Sequence, residues 1–232
     1  MSKKELSKRY IFFIMGLFAN AFGVSLITKA QLGTSPISSI PYTFSIGFPL
    51  TMGAFTFILN MILIFGQIIM QKKDFEKIQL VQIPVSIMFG YFIDFTMSLL
   101  SSLNPTVYLI KILCLLIGCS ILALGVSIEV IADVVMLSGE AFVKAISNKF
   151  NRDFGKTKVS FDITLVTIAS IISLLMFHKI VGVREGTIIA ALIVGLIARK
   201  FSSKLRFINN KFLLDSQPLS EEEEEQEETM VS

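Results

Sequence analysis

Charge is what this chain has least of. Only 17% of its 232 residues are Asp, Glu, Lys or Arg, where a soluble domain carries about a quarter. There is a single His, and no Cys/His cluster with zinc-ligand spacing. The two cysteines, Cys114 and Cys119, sit five apart in one apolar run. They cannot build a disulfide framework and read as buried, inert thiols. The formal net charge is only +3, and no basic stripe interleaves with aromatics, so nucleic acid is not an expected partner. No nucleophile–base arrangement, phosphate loop or metal-ligand spacing stands out. Neither enzymatic chemistry nor a cofactor is therefore expected.

What is present is apolar sequence in long runs, with Lys and Arg gathered between them; hydrophobic residues make up 53% of the chain. Runs of about 18 or more apolar residues are transmembrane candidates, because about 20 residues at 1.5 Å each span a hydrocarbon core near 30 Å. Six such segments emerge, at about 10–28, 52–70, 78–101, 107–130, 159–178 and 185–199. Lys3, Lys4, Lys8 and Arg9 precede an apolar run containing Ala19-Asn20-Ala21, which mimics a cleavable signal. The run continues to Ile27 and has an internal copy, so it reads as a retained first helix.

The stretch 31–50 is apolar but broken by Gly33, Pro36, Pro41, Gly47 and Pro49. The stretch 137–150 is short and amphipathic, with Glu140, Lys144 and Lys149. Neither reads as an ordinary span. Cation placement tests the count. With an inside N-terminus and six spans, seventeen of the twenty-one Lys and Arg fall inside, leaving Lys29, Lys111, Lys179 and Arg184 outside. Were 31–50 a full span, every later helix would change side and the bias would collapse. The expectation is a bacterial inner-membrane protein with both termini cytoplasmic, and 31–50 re-entrant or interfacial.

An internal repeat matches this plan. At an offset of 102, Gly16 meets Gly118, Ala21 meets Ala123, and Gly23-Val24-Ser25 meets Gly125-Val126-Ser127. Ala30 then meets Ala132 and Ser45 meets Ser147, while Ile83 and Gly90 match Ile188 and Gly195 at an offset of 105. The fold expected is all-α. It comprises six transmembrane helices as two inverted three-helix repeats, each with a short broken or amphipathic helix after its first span. The first repeat covers 1–104 and the second 105–212, with a solvated acidic tail over 213–232. Inverted repeats with discontinuous helices are a recurring transporter architecture. Irregular backbone at membrane depth persists only where protein or a wet cavity satisfies it.

Two groups of residues are candidates for binding. Thr34, Ser35, Ser38, Ser39 and Tyr42 recur at helical spacing beside Pro36 and give a hydroxyl-bearing face. A half-helix N-terminus there suits an anionic or polar group. Equally, the hydroxyls serve as packing glue bonded to nearby carbonyls. Glu129 and Asp133, one turn apart at the inner end of the fourth span, either face a cavity or have already reached the headgroups. In a cavity they would bind a cationic substrate or exchange a coupling proton. Glu140 and Lys144 either line the same site or pair on an exposed face. Asn60 and Asp94 lie within spans, where they line the cavity or bond between helices; Asp94 joins Glu129 and Asp133 as a coupling candidate.

The chain also resembles a known group. Ala21-Phe-Gly-Val-Ser25, Leu32-Gly-Thr-Ser-Pro36, Ile46-Gly47 with Thr51-Met-Gly53, and Gly90-Tyr-Phe-Ile-Asp94 are similar to the YczE/YitT-type bacterial membrane proteins, over roughly residues 10–200. The resemblance implies a multi-pass membrane protein of no settled activity. Some members lie beside regulators of the pyridoxal-phosphate-binding type, which implies vitamin-like or amine substrates. Glu140 and Lys144 depart from the more apolar short helix of that pattern.

The function expected is a secondary transporter or permease for a small polar or vitamin-like molecule. The alternative is a membrane accessory or sensor protein acting through a partner complex. The expected partners are the lipid bilayer and a small-molecule substrate, and a homo-oligomer is compatible with the sequence.

Overall fold

The computed structural model describes residues 3–208, so the acidic tail expected over 213–232 lies outside the described residues. Eight α-helices and no strand occur among them. They are α1 (Lys3–Lys29), α2 (Ser39–Gly47), α3 (Met52–Gln71), α4 (Gln82–Leu99), α5 (Tyr108–Ala132), α6 (Ser138–Lys149), α7 (Phe154–Phe177) and α8 (Glu185–Ile208). Each half of the chain reads long helix, short helix, then two further helices. The broken 31–50 stretch is a 3-10 turn over Pro36–Ser38 running into α2. The amphipathic 137–150 stretch is α6.

Helices α1, α3, α5 and α7, and the segment Lys77–Leu99 that contains α4, are long and apolar enough to cross a membrane. The apolar part of α8, Glu185–Ala198, is shorter; at about 14 residues it reaches roughly 21 Å, less than a hydrocarbon core. These helices expose apolar stripes that water would not tolerate. Ile188, Leu192 and Leu196 on α8 are each more than 60% exposed, and Leu175 on α7 is 74% exposed. Such faces suit lipid, and the chain is a membrane protein.

The core is the seam between α1 and α5, where Phe13, Leu17, Ala21, Val24 and Ile27 meet Leu115, Cys119 and Leu122. Glycine lets the two backbones touch. A Cβ on Gly23 would lie 2.5 Å from the Leu122 nitrogen, and one on Gly125 would lie 2.7 Å from the Gly16 oxygen. Gly118 likewise meets Ile27 and the Gly23 oxygen. Small residues of this kind let membrane helices approach closely. The pairs Gly16–Gly125 and Gly23–Gly118 run in opposite directions along the two helices, so α1 and α5 are antiparallel. Arg9 near the start of α1 accordingly donates to the Ala132 carbonyl at the end of α5, at 3.2 Å, where a cation complements the helix dipole.

The remaining helices lie alike in both halves. α4 packs on α1 and α8 on α5, and each short helix touches both α3 and α7. Ser25 on α1 donates to the Ile93 carbonyl of α4 at 3.4 Å, and Ser127 on α5 donates to the Ala198 carbonyl of α8 at 3.1 Å. Helix α3 starts from Thr51, whose hydroxyl accepts from the Ala54 amide, and α7 starts from Asp153, whose carboxylate accepts from the Lys156 amide. Gln31 after α1 and Asp133 at the end of α5 both take the left-handed conformation. Each of these pairs obeys the 102 or 105 offset.

Candidate functional site

The antiparallel seam gives the molecule two opposite ends, and they are built differently. At the end holding the α5 C-terminus, a cavity of about 790 Å³ opens between α5, α6, the end of α3 and the start of α4. Glu129, Asp133, Glu140 and Lys144 all line it. The pairs Glu129/Asp133 and Glu140/Lys144 thus share one cavity. Helix α5 stops at Asp133, which turns left-handed (φ 47°) and sends the chain across to α6. After that turn Glu140 and Lys144 on α6 join Glu129 in the lining.

Glu129 is buried at 7% exposure. Its Oε1 accepts from Asn20 Nδ2 at 3.2 Å across the seam, and its Cγ lies where a side chain on Gly16 would stand. Asp133 and Lys144 are exposed at the mouth, with Glu140 half-buried between the levels. Among the described residues no ion pair joins Glu140 to Lys144. The cation near Glu140 is Lys158 on α7, already held by Asp162 at 2.6 Å. Burial pushes the Glu140 carboxyl above its ordinary range; Lys158 opposes this and Asp162 adds to it.

Glutamines complete the wall, and the sequence reading missed them. Gln82 and Gln67 exchange amide hydrogen bonds in both directions at 3.1 Å, and Gln67 also donates to the Ser138 carbonyl at the start of α6. Ser86 and Ser138 share a further bond at 3.2 Å. Gln71 and Gln79 line the cavity with side-chain carbonyl oxygens that are buried and have no partner. Their spacing was the available signal: Gln67 and Gln71, then Gln79 and Gln82, sit one turn apart on either side of a polar loop.

The hydroxyl face does not line this cavity, although Ile37 within it touches Gly139 at the start of α6. There Ser35 donates to Ser38 at 2.8 Å, and Ser39 donates to the Pro36 carbonyl at 2.6 Å. Thr34 shares a bond with Thr28 at 2.8 Å, and its amide donates to Thr187 at 3.2 Å. Tyr42 packs beside Gly182. The loop before α8 closes over this end. Gly186 donates to the Leu32 carbonyl at 2.7 Å, and the Arg184 guanidinium donates to the Gln31 carbonyl at 3.1 Å. Gly33, at φ 112°, lets the chain pass against Thr187.

Asn60 is buried in α3 and does not line the cavity. Asp94 is also absent from it. Its carboxylate accepts from the Thr51 hydroxyl at 2.7 Å and the Gly53 amide at 2.8 Å, which ties α4 to the start of α3. Gly53 and Gly90 touch backbone to backbone just beside this bond.

Residues 7–203 match the model of a family of unknown function, DUF6198. The chain belongs to that family. Within the match lie both ends of the seam, the cavity and the closed hydroxyl end. The chain is 27% identical over 198 residues to the uncharacterized membrane protein YczE of Bacillus subtilis (strain 168), covering 85% of this chain and 86% of that protein. It is 24% identical over 197 residues to the uncharacterized protein YyaS of the same organism, covering 83% and 92%. No solved structure matches. The YczE-type resemblance carried by Gly53, Gly90 and Asp94 is therefore a family likeness whose residues meet in space.

Proposed function

We propose that this protein is a secondary transporter or permease of the bacterial inner membrane for a small polar solute. The observation that carries the reading is the cavity of about 790 Å³ with the buried Glu129 at its inner wall. A carboxylate placed in a spanning helix is costly unless it faces water, a partner or a solute, and a volume of this size suits a small molecule.

The finer architecture belongs to the same proposal. Six spans, formed by α1, α3, α4, α5, α7 and α8, place both termini in the cytoplasm. Helix α8 crosses with a short apolar stretch because α5 covers one face of it. Two inverted halves are supported by pairs that exchange under the repeat: Gly16–Gly125 with Gly23–Gly118, and Ser25–Ile93 with Ser127–Ala198. On this reading the cavity faces the cytoplasm and the 31–43 end is the closed outer gate. Exchange of conformation between the halves would open the outer end and shut the inner one. Glu129, Asp133 and Asp94 are the coupling residues on this reading, the first two lining the cavity and Asp94 bonded to Thr51.

The test is uptake into proteoliposomes under an imposed pH gradient, with a panel of labelled cationic, zwitterionic, neutral and anionic solutes. Wild-type protein accumulates at least one, and Glu129→Gln does not. If no solute accumulates while the protein remains folded, the accessory or sensor reading takes its place.

A further inference from the structure

We propose that the cavity selects an organic cation carrying several N–H donors, rather than an anion, a neutral polyol or a quaternary ammonium ion. This rests on the transport reading above and names the substrate class for the same site.

The first support is how charge changes with depth. The cations that line the cavity, Lys144 and Lys149, are exposed at its mouth. Behind them the ionisable groups in the wall are Glu129, buried, and Glu140, half-buried, and both are acidic. Both carboxyls line the same cavity. Lys158, the nearest cation behind Glu140, is taken up by Asp162. Asp74, Glu76 and Asp133 add acidic groups at the mouth. Behind the mouth lysines an anion would meet only acidic groups, whereas a cation would find partners there.

The second support is independent of charge. The carbonyl oxygens of Gln71 and Gln79 are buried at the cavity and unpartnered. A buried acceptor without a donor is unfavourable, and a ligand N–H removes that cost on binding. Gln82 donates to Gln67 and not to either of these oxygens. Carboxylates are likewise acceptors when ionised. The wall therefore asks for donors as well as for positive charge. A primary ammonium or guanidinium group meets both demands, and a quaternary ammonium group meets only one.

The repeat gives the site its polarity. At the 102 offset, Glu129 corresponds to Ile27, Glu140 to Ser38 and Lys144 to Tyr42. The acidic lining thus belongs to one end of the molecule alone, which fits a site specialised for one ligand chemistry.

The experiment is a thermal-shift titration of the full chain in detergent or nanodiscs. The probes are 1,4-diaminobutane, guanidinium, tetramethylammonium, glucose and succinate. Diaminobutane and guanidinium should raise the melting midpoint with saturation. Tetramethylammonium should need about tenfold more or worse, the equivalent of one charge-assisted hydrogen bond, and glucose and succinate should do nothing. Glu140→Gln and Gln79→Leu should each weaken diaminobutane by about tenfold, with Gln79→Leu leaving tetramethylammonium unchanged. Two variants guard against either one misfolding. Equal response to tetramethylammonium, a response to succinate or glucose, or no response to any probe would overturn the assignment. Failure of the transport reading is seen separately, as an Asp133→Cys variant that no aqueous thiol reagent reaches.

Discussion

Asn20 Nδ2 donates to Glu129 Oε1 at 3.2 Å, across the seam that joins the two halves. Both residues break the internal repeat. Asn20 corresponds to Leu122 and Glu129 to Ile27, so at each position the other half carries an aliphatic side chain. A polar pair has been set into an otherwise apolar interface, and one member faces the cavity.

The pairing sets up the first prediction. Asn20→Leu leaves a buried carboxyl without its donor and should destabilise the protein by about 1–3 kcal/mol. Adding Glu129→Ile, which restores the apolar seam, should return stability to within about 1 kcal/mol of wild type, because a buried polar pair replaced by packed aliphatics is often neutral. The double variant should nonetheless lose every solute response. Thermal melting in detergent reads the first effect and ligand shifts the second. A double variant no more stable than Asn20→Leu alone would mean that Glu129 holds the seam together.

Backbone contact at the same seam gives the second. Gly23→Leu forces a side chain against the Leu122 backbone, 2.5 Å from its nitrogen. Overpacking of this kind costs about 1–3 kcal/mol. Gly195, by contrast, has nothing within 4 Å of an added Cβ. Gly195→Ala should be neutral or stabilising by up to about 1 kcal/mol, from helix propensity. Yield of folded monomer and melting midpoint, compared for the two variants, decide it.

Acidity gives the third. In the folded chain burial, reinforced by Asp162 and opposed by Lys158, holds the Glu140 carboxyl above its ordinary value of 4.5. Glu129 from α5 and Lys144 on its own helix are the other charged groups lining that wall. A raised carboxyl favours the protonated form, so its contribution is complete below 4.5 and is lost as the pH rises through the raised value. The melting midpoint should therefore decline as the pH is raised from below 4.5, and Glu140→Gln should flatten that decline. A slope unchanged in the variant would assign the dependence to other carboxyls.

Much of this was legible in residues alone, and the reasons differ from place to place. The broken character of 31–50 followed from Pro36, Pro41 and Gly47, and the structure has a 3-10 turn and a short helix there. The cavity residues Glu129, Asp133, Glu140 and Lys144 stood out because charge in or beside an apolar helix is costly and therefore informative. The fate of Ser35, Ser38 and Ser39 was not legible. Helical spacing gives a common face, but only the fold decides that they bond to one another and to Pro36. Gln71 and Gln79 were hidden for the opposite reason: glutamines beside a polar loop look like ordinary solvated residues until the fold sets them in the cavity lining. Asp94 read as an intramembrane acid, and its partner Thr51 was invisible because the two lie 43 positions apart.

On the proposed reading the cavity opens to the cytoplasm while the 31–43 end is shut. That reading is tested most directly by impermeant thiol labelling in a Cys114→Ser/Cys119→Ser background, with single cysteines at Asp133, Lys144 and Ser38. Sealed vesicles of both orientations are used. Asp133→Cys and Lys144→Cys should react from the cytoplasmic face alone, and Ser38→Cys should stay unreactive at rest but become reactive from the outer face during solute exchange. Reaction of Asp133→Cys from the outer face, or of Ser38→Cys at rest as readily as Asp133→Cys, would contradict the account.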